Sequence, residues 1–406
     1  MLNSTAKRPL IIILMIGILV VALSQCSGFK EDSIADNRGP AYADPKSCVK
    51  CHSTKKSFSE TAHFHTSAEL GSDLKEFPKA NTTFAFSDSL KVVIEERDKR
   101  MYQVAYFNNK EINAHRFDIA FGSGEKARTY AYWEDNSLFQ LPLSYYKPIN
   151  KWINSPGFPV DRIYDKRAIL SRCFECHGSF AETKIVKTGS LSVSEEIVKG
   201  SAIYGIDCQR CHGAAAEHVN FHTDNPTTKV PKYITEINKL SRQQKIDMCA
   251  VCHSGNDQLT QKATFTFSPG DTLSNYYYPQ YSRNKSEPDV HGNQYGMLSS
   301  SACFIKSDMD CSSCHNTHVT EKNNPVLYSQ KCMNCHKTGA HPEIKGLGAS
   351  ALSTDCIDCH MPVASSKLIT FQLAGKNVKT PYLLRSHRIA IYPAEAEKIL
   401  SYLKLK

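Results

Sequence analysis

The chain has 406 residues, and its 49 Lys and Arg against 40 Asp and Glu give a formal net charge of +9. A basic excess can mark a nucleic-acid or acidic-membrane partner. No run of basic residues forms a nucleic-acid footprint, which excludes that class; the 16 Cys and 16 His carry the rest of the reading.

Residues 1–25 read as a signal peptide of lipoprotein type. Lys7 and Arg8 form a positive n-region, and Pro9 to Leu23 is an apolar run short for a membrane span. Leu23-Ser24-Gln25-Cys26 resembles a bacterial lipobox, which implies cleavage before Cys26, lipidation of its thiol and anchoring in the lipid bilayer. Gln25 departs from the small residue usual there, so a plain secretory signal and an uncleaved anchor helix stay open. All three place the body outside the cytoplasm. Ser27 follows Cys26 where an Asp would retain the protein at the inner membrane, so analogy favours the outer membrane, on its periplasmic or cell-surface face. Lys30-Glu31-Asp32 looks like a surface-export tag, or is a solvated part of a linker over residues 26–47. Cleavage removes Lys7 and Arg8 and takes the charge from +9 to +7.

Residues 48–81 begin with Cys48-Val-Lys-Cys51-His52. The same Cys-x-x-Cys-His pattern recurs as Cys173-Phe-Glu-Cys176-His177, Cys208-Gln-Arg-Cys211-His212, Cys249-Ala-Val-Cys252-His253, Cys311-Ser-Ser-Cys314-His315, Cys332-Met-Asn-Cys335-His336 and Cys356-Ile-Asp-Cys359-His360. Each copy reads as an attachment site for haem c, seven in all. The two thiols form thioethers to the porphyrin edge, and the adjacent His is held against the iron as proximal ligand. Structural zinc is the rival, since paired Cys-x-x-Cys units also build zinc ribbons. Zinc does not require His after the second Cys, and here it follows every time. The motifs use 14 of the 16 Cys and leave Cys26 and Cys303. With Cys26 lipidated, no disulfide network can form within the chain. Cys303 then reads as a buried free thiol, with an unusual ligand or an intermolecular bridge as alternatives.

Residues 82–145 have another character. Phe84, Phe86, Leu90, Val92 and Ile94 keep a period of two, interrupted at Asp88, and Met101 to Tyr106 follows the charged turn Arg97-Asp-Lys-Arg100. Asn108-Asn109 marks the next turn. Arg116 to Phe121, Thr129 to Trp133 and Leu138 to Leu141 read as further strands, separated by Gly122-Ser-Gly124 and Glu134-Asp-Asn136. This predicts a small antiparallel β-insert. In the connecting segment, residues 146–172, Trp152 and Pro156-Gly157-Phe158-Pro159, with Tyr145-Tyr146, read as a packed loop, partner docking being the alternative.

Residues 173–390 hold six of the motifs, too many for an ordinary side-chain core. The porphyrins must supply much of the apolar interior, wrapped by short helices and irregular loops with little regular sheet. The expected fold class is a multihaem cytochrome c, α+β with low regular structure. Residues 391–406 read as a C-terminal helix, with Pro393 in the first turn, acids early, Lys398 later, and Ile399, Leu400 and Leu403 on one face.

Seven proximal His leave nine others: His63, His65, His115, His218, His222, His291, His318, His341 and His387. A second protein ligand closes an iron to substrate and suits electron transfer, whereas an open position permits binding or catalysis. His63, His218, His291, His318, His341 and His387 are the preferred distal ligands. His318, three residues after His315, serves a neighbouring haem more readily than its own. Only one of His65, His115 and His222 is needed beyond those six.

The runs Cys208-Gln-Arg-Cys211-His212-Gly with Glu217-His218-Val219, Cys311-Ser-Ser-Cys314-His315-Asn-Thr-His318, and Cys356-Ile-Asp-Cys359-His360-Met-Pro with the later Ser386-His387-Arg388-Ile389 resemble bacterial multihaem cytochromes c. They are similar to the broad group related to nitrite reductases and hydroxylamine oxidoreductases, over residues 48–77 and 165–390. The resemblance implies distal roles for His318 and His387 and, by position, for His218 and His63. The pentahaem nitrite reductases of that group carry Cys-x-x-Cys-Lys at the catalytic haem. No such motif occurs here, and every proximal position is His.

The favoured function is electron transfer through seven mostly bis-His haems, on a lipid-anchored protein, to redox partner proteins. The alternative is a multihaem oxidoreductase acting on a small nitrogen or sulfur compound at one haem with an open axial site. A third role has the β-insert dock a partner beside the first haem. No catalytic side chain is assigned.

Overall fold

The computed structural model describes residues 36–71, 81–279, 287–336, 354–376 and 378–404. The signal segment, Cys26 and His341 lie outside the described residues. After β1 (Ser67–Glu69), four strands form an antiparallel meander: β2 (Thr82–Ala85), β3 (Leu90–Arg97), β4 (Arg100–Phe107) and β5 (Lys110–Arg116). Arg97 pairs with Arg100 and Phe107 with Lys110 across two-residue turns. The turn residues Asp98, Lys99, Asn108 and Asn109 have φ of 50°, 57°, 48° and 61°. That left-handed backbone matches strand twist in tight hairpins, and Asn and Asp enter it most easily.

β6 (Ile119–Phe121), β7 (Ala127–Glu134), β8 (Ser137–Gln140), β9 (Leu143–Tyr146), β10 (Lys151–Asn154) and β11 (Arg167–Ala168) join β1 in a seven-stranded antiparallel sheet. Alternation along these strands sorts two cores. Ala120, Tyr130 and Tyr132 pack with Phe84, Val92, Ile94, Met101 and Trp152, between the two sheets. Their neighbours Ile119, Phe121 and Ala131 face the other way, against Phe174 inside the second motif. A third cluster, Tyr146 and Ile153 with Phe371 and Tyr382, fastens the C-terminal part to the sheet.

The sheet content is larger than a small insert, which corrects the sequence expectation. Segment 173–390 carries β12 (Gly178–Phe180), β13 (Thr183–Lys187), β14 (Val193–Ile197), β15 (Ile203–Tyr204), β16 (Val363–Phe371) and β17 (Thr380–Arg385). They form three two-stranded ladders, β12–β15, β13–β14 and β16–β17. The hairpin of β13 and β14 exposes Ile185 and Val193 at 68% and 69%. A strand pair that buries so little has no apolar alternation to read. The same holds for β5, whose first three residues are exposed.

Trp152, Tyr146 and Phe158 are buried, and the Arg167 guanidinium lies 4.1 Å over the Phe158 ring while donating to Pro156 O and Gly157 O. The connecting segment is therefore packed. The other regular elements are short α- and 3-10 helices, the last of them Pro393–Lys404, joined by irregular loops.

Candidate haem-binding cavity

A helical turn places residues three apart on one side. Cys48–Cys51, Ser171–His177, Cys208–His212, Arg242–His253 and Cys356–His360 are helical, and Cys311–Ser313 forms a 3-10 turn. Both thiols of such a motif thus project together, with the His just beyond.

All seven motifs open onto one cavity of about 3840 Å3. Small-molecule pockets are about 300–1,000 Å3, so this space admits several large groups. His52, His177, His212, His253, His315, His336 and His360 line it, as do His63, His218, His222, His291, His318 and His387. His65 and His115 lie elsewhere. His65 is exposed, and His115 bonds Asp165 at 2.9 Å and stacks on Tyr132.

Four motif His face a second His at nearly one separation. Ring centres are 6.2 Å apart for His52 and His218, 6.1 Å for His253 and His63, 6.0 Å for His212 and His318, and 6.3 Å for His315 and His387. A metal-bound imidazole nitrogen sits about 2.0–2.1 Å from the ion. With each ring centre about 1 Å further back, two imidazoles on opposite sides of one iron come out about 6.2 Å apart. His177 and His291 are electrostatic neighbours in the same cavity. The arrangement fits haem iron and not a zinc ribbon: zinc gathers four donors, and among the described residues no three His, Cys, Asp or Glu side chains converge in that way.

The rings are oriented from behind. Nδ1 of His218 donates to Lys232 O at 2.8 Å, Nδ1 of His360 to Ala390 O at 2.9 Å, and Nδ1 of His253 to Gln294 Oε1 at 3.1 Å. A proton held on Nδ1 leaves Nε2 as the free, metal-binding nitrogen. Burial pushes the pKa of His63 and His387 down to about 4, and burial also lowers those of His177, His212, His291, His315 and His318. These rings are neutral at pH 7, the form that ligates metal. Nδ1 of His177, Nδ1 of His387 and Nε2 of His222 are buried with no protein partner among the described residues.

Thiols of different motifs adjoin. Cys48 meets Cys208, Cys176 meets Cys252, Cys249 meets Cys311, and Cys332 meets Cys356. Cys211 neighbours Cys249, and Cys314 neighbours Cys332. Cys303 lines the cavity near Cys314 and Cys332.

Supports for these positions escaped the sequence reading. Gly205, at φ +67°, lets the backbone pass so close to Phe64 O that a Cβ would lie 2.0 Å away. Ile206 N then donates to His63 O at 2.9 Å, which holds the His63 turn in place. Gln209 closes a two-way bond with Ala43, at 2.9 and 2.8 Å. Arg210 donates to Thr264 O and Glu175 O, joining the third motif to the second. Arg38, from the stretch read as a linker, bonds both Asp36 and Asp207. Against burial, those hydrogen bonds hold its pKa above the ordinary value.

No family model and no curated protein matches the sequence. A solved structure does: the crystal structure of the outer cell wall cytochrome OcwA is similar at 15% identity, covering 89% of this chain and 82% of that one with a TM-score of 0.52. The likeness is one of fold, so the fold is one that a cytochrome adopts.

Proposed function

We propose that the chain is an extracytoplasmic c-type cytochrome that carries electrons through seven covalently bound haems, numbered here in chain order. Four facing imidazole pairs, in a cavity lined by every motif, carry the reading. The haems, when bound, supply the electron-carrying iron. The chain would attach them through its thiols, hold five of the irons between two rings and shield them from water. On this reading His218, His291, His318, His63 and His387 are the second ligands of haems 1, 2, 3, 4 and 5. Each comes from a different stretch of chain than the proximal His it faces. The adjoining thiols give the path 1–3–4–5–6–7, with haem 2 branching from haem 4. The fold shared with a cytochrome named for the outer cell wall supports an external location. Lipid anchoring at Cys26 on the outer membrane, and redox partner proteins, belong to the same proposal.

One observation favours a second reading, an oxidoreductase for a small nitrogen or sulfur compound. Among the described residues no His ring faces His336. An open axial site at haem 6 would give such a compound its place.

Replacing His387 with Gly tests the ligand assignment. In electron paramagnetic resonance of the oxidised protein, about one haem in seven should pass from low to high spin, and the reduced protein should gain carbon monoxide binding at that haem. The potential of haem 5 should shift on the order of 100 mV, as axial ligation governs potential. An unchanged spectrum in a correctly loaded variant would remove His387 from the ligand set.

A further inference from the structure

Haem 1 stands at one end of the thiol path, since Cys48 adjoins Cys208 alone among the described thiol pairs. Its motif is exposed, as is the fifth, where Ser312 and Ser313 are exposed. Val49 and Lys50, between Cys48 and Cys51, are exposed, whereas Phe174 and Glu175, Gln209 and Arg210, and Ala250 and Val251 are buried in motifs two to four.

Around that motif the surface is basic. Lys46, Lys50, Lys55 and Lys56 are exposed, all but Lys50 also line the cavity, none is in an ion pair among the described residues, and no acid interrupts residues 45–59. The loop behind His218 closes the other side, since His218 Nδ1 is held by Lys232 O. Lys229 and Lys232 are exposed there, beside Val230 and Tyr233 at 62% and 60% exposure. Of the acids on these elements, Asp44 is occupied capping Lys46 N, and Glu60, Glu217 and Asp224 are exposed. The result is a basic face that also exposes apolar residues, where the charge steers an oppositely charged partner and the apolar part sheds water on contact.

We propose that this face is the docking port for an acidic redox protein, which exchanges electrons with the chain through haem 1. The proposal rests on the haem reading of Cys48, Cys51 and His52, and it names the entry or exit point of that wire.

The test uses the haem-loaded protein and two probes of known charge, oxidised plant-type ferredoxin (acidic) and oxidised mitochondrial cytochrome c (basic). With both partners oxidised no electrons move, so calorimetric titration reads binding alone. The ferredoxin should bind at low ionic strength and the basic cytochrome should not. Binding should fall about tenfold or more in about 0.5 M salt, where the Debye length is only a few ångströms. Reversing Lys46→Glu, Lys50→Glu, Lys55→Glu and Lys56→Glu together should cause a loss as large at low salt. The neutral set, with Gln at the same four positions, should weaken binding by less. Reversing exposed lysines remote from the port, Lys110→Glu, Lys151→Glu, Lys184→Glu and Lys187→Glu, should leave it unchanged. Equal loss from both reversal sets would overturn the port. So would a changed haem 1 spectrum with intact binding, which would mean that the lysines only neutralise propionates. Failure of the haem reading looks different, because the Cys48–Cys51 peptide would then carry no haem by mass.

Discussion

Made where haem cannot be attached, the chain is expected to lose the fold of its motif-bearing part. The cavity measures about 3840 Å3. At about 24 cal/mol per Å3 of empty space, a tenth of that volume left vacant would cost about 9 kcal/mol. That is the whole stability of an ordinary domain, about 5–15 kcal/mol. Water would enter the rest, but the apolar walls gain nothing from it. The β-rich part should respond differently, because Phe84, Val92, Ile94, Met101, Tyr130 and Trp152 fill their own core with side chains. Limited proteolysis of the haem-free chain should therefore cut freely beyond the second motif and spare the two sheets. A haem-free chain as resistant throughout as the loaded one would contradict this.

Arg38→Ala should cost about 3–5 kcal/mol, the range for removing one member of a buried ionic cluster. The side chains of Arg38, Asp36 and Asp207 are 4%, 1% and 8% exposed, with contacts of 2.8 and 2.5 Å. Without the guanidinium, two buried carboxylates face each other unpaired. Asp207 also accepts from Arg210 N at 2.9 Å at the start of the Cys208–His212 helix, so the third motif should loosen as well. Arg38→Lys should recover only part of the loss, because an ammonium cannot bridge two carboxylates with a planar fork. Denaturant unfolding of the loaded protein reads the difference, and a shift below about 1 kcal/mol would show that the cluster is not needed.

What the sequence made legible follows from how far each constraint reaches along the chain. A Cys pair and its His occupy five consecutive residues, so every motif stands out in the primary structure. The hairpin turns at Arg97–Arg100 and Asn108–Asn109 are local in the same way. Facing pairs are not local. His318 could be read as serving a neighbour, but that the neighbour is His212 depends on how two distant segments cross. His63 and His65 look alike in sequence, and only the fold turns the first into the cavity and the second to solvent. His115 is taken by Asp165, fifty residues away. Strands β5, β13 and β14 hid because they bury little, and Arg38 hid because its two partners include an Asp far along the chain.

The central claim is that porphyrin iron, fixed through sulfur, occupies the interior of this protein. The most direct measurement is a mass spectrum of the mature protein from a host that matures c-type cytochromes, followed by peptide mapping. The expected mass is that of the polypeptide plus seven haems, one on each Cys-x-x-Cys-His peptide. A folded, colourless protein of bare polypeptide mass, or one holding zinc, would contradict it.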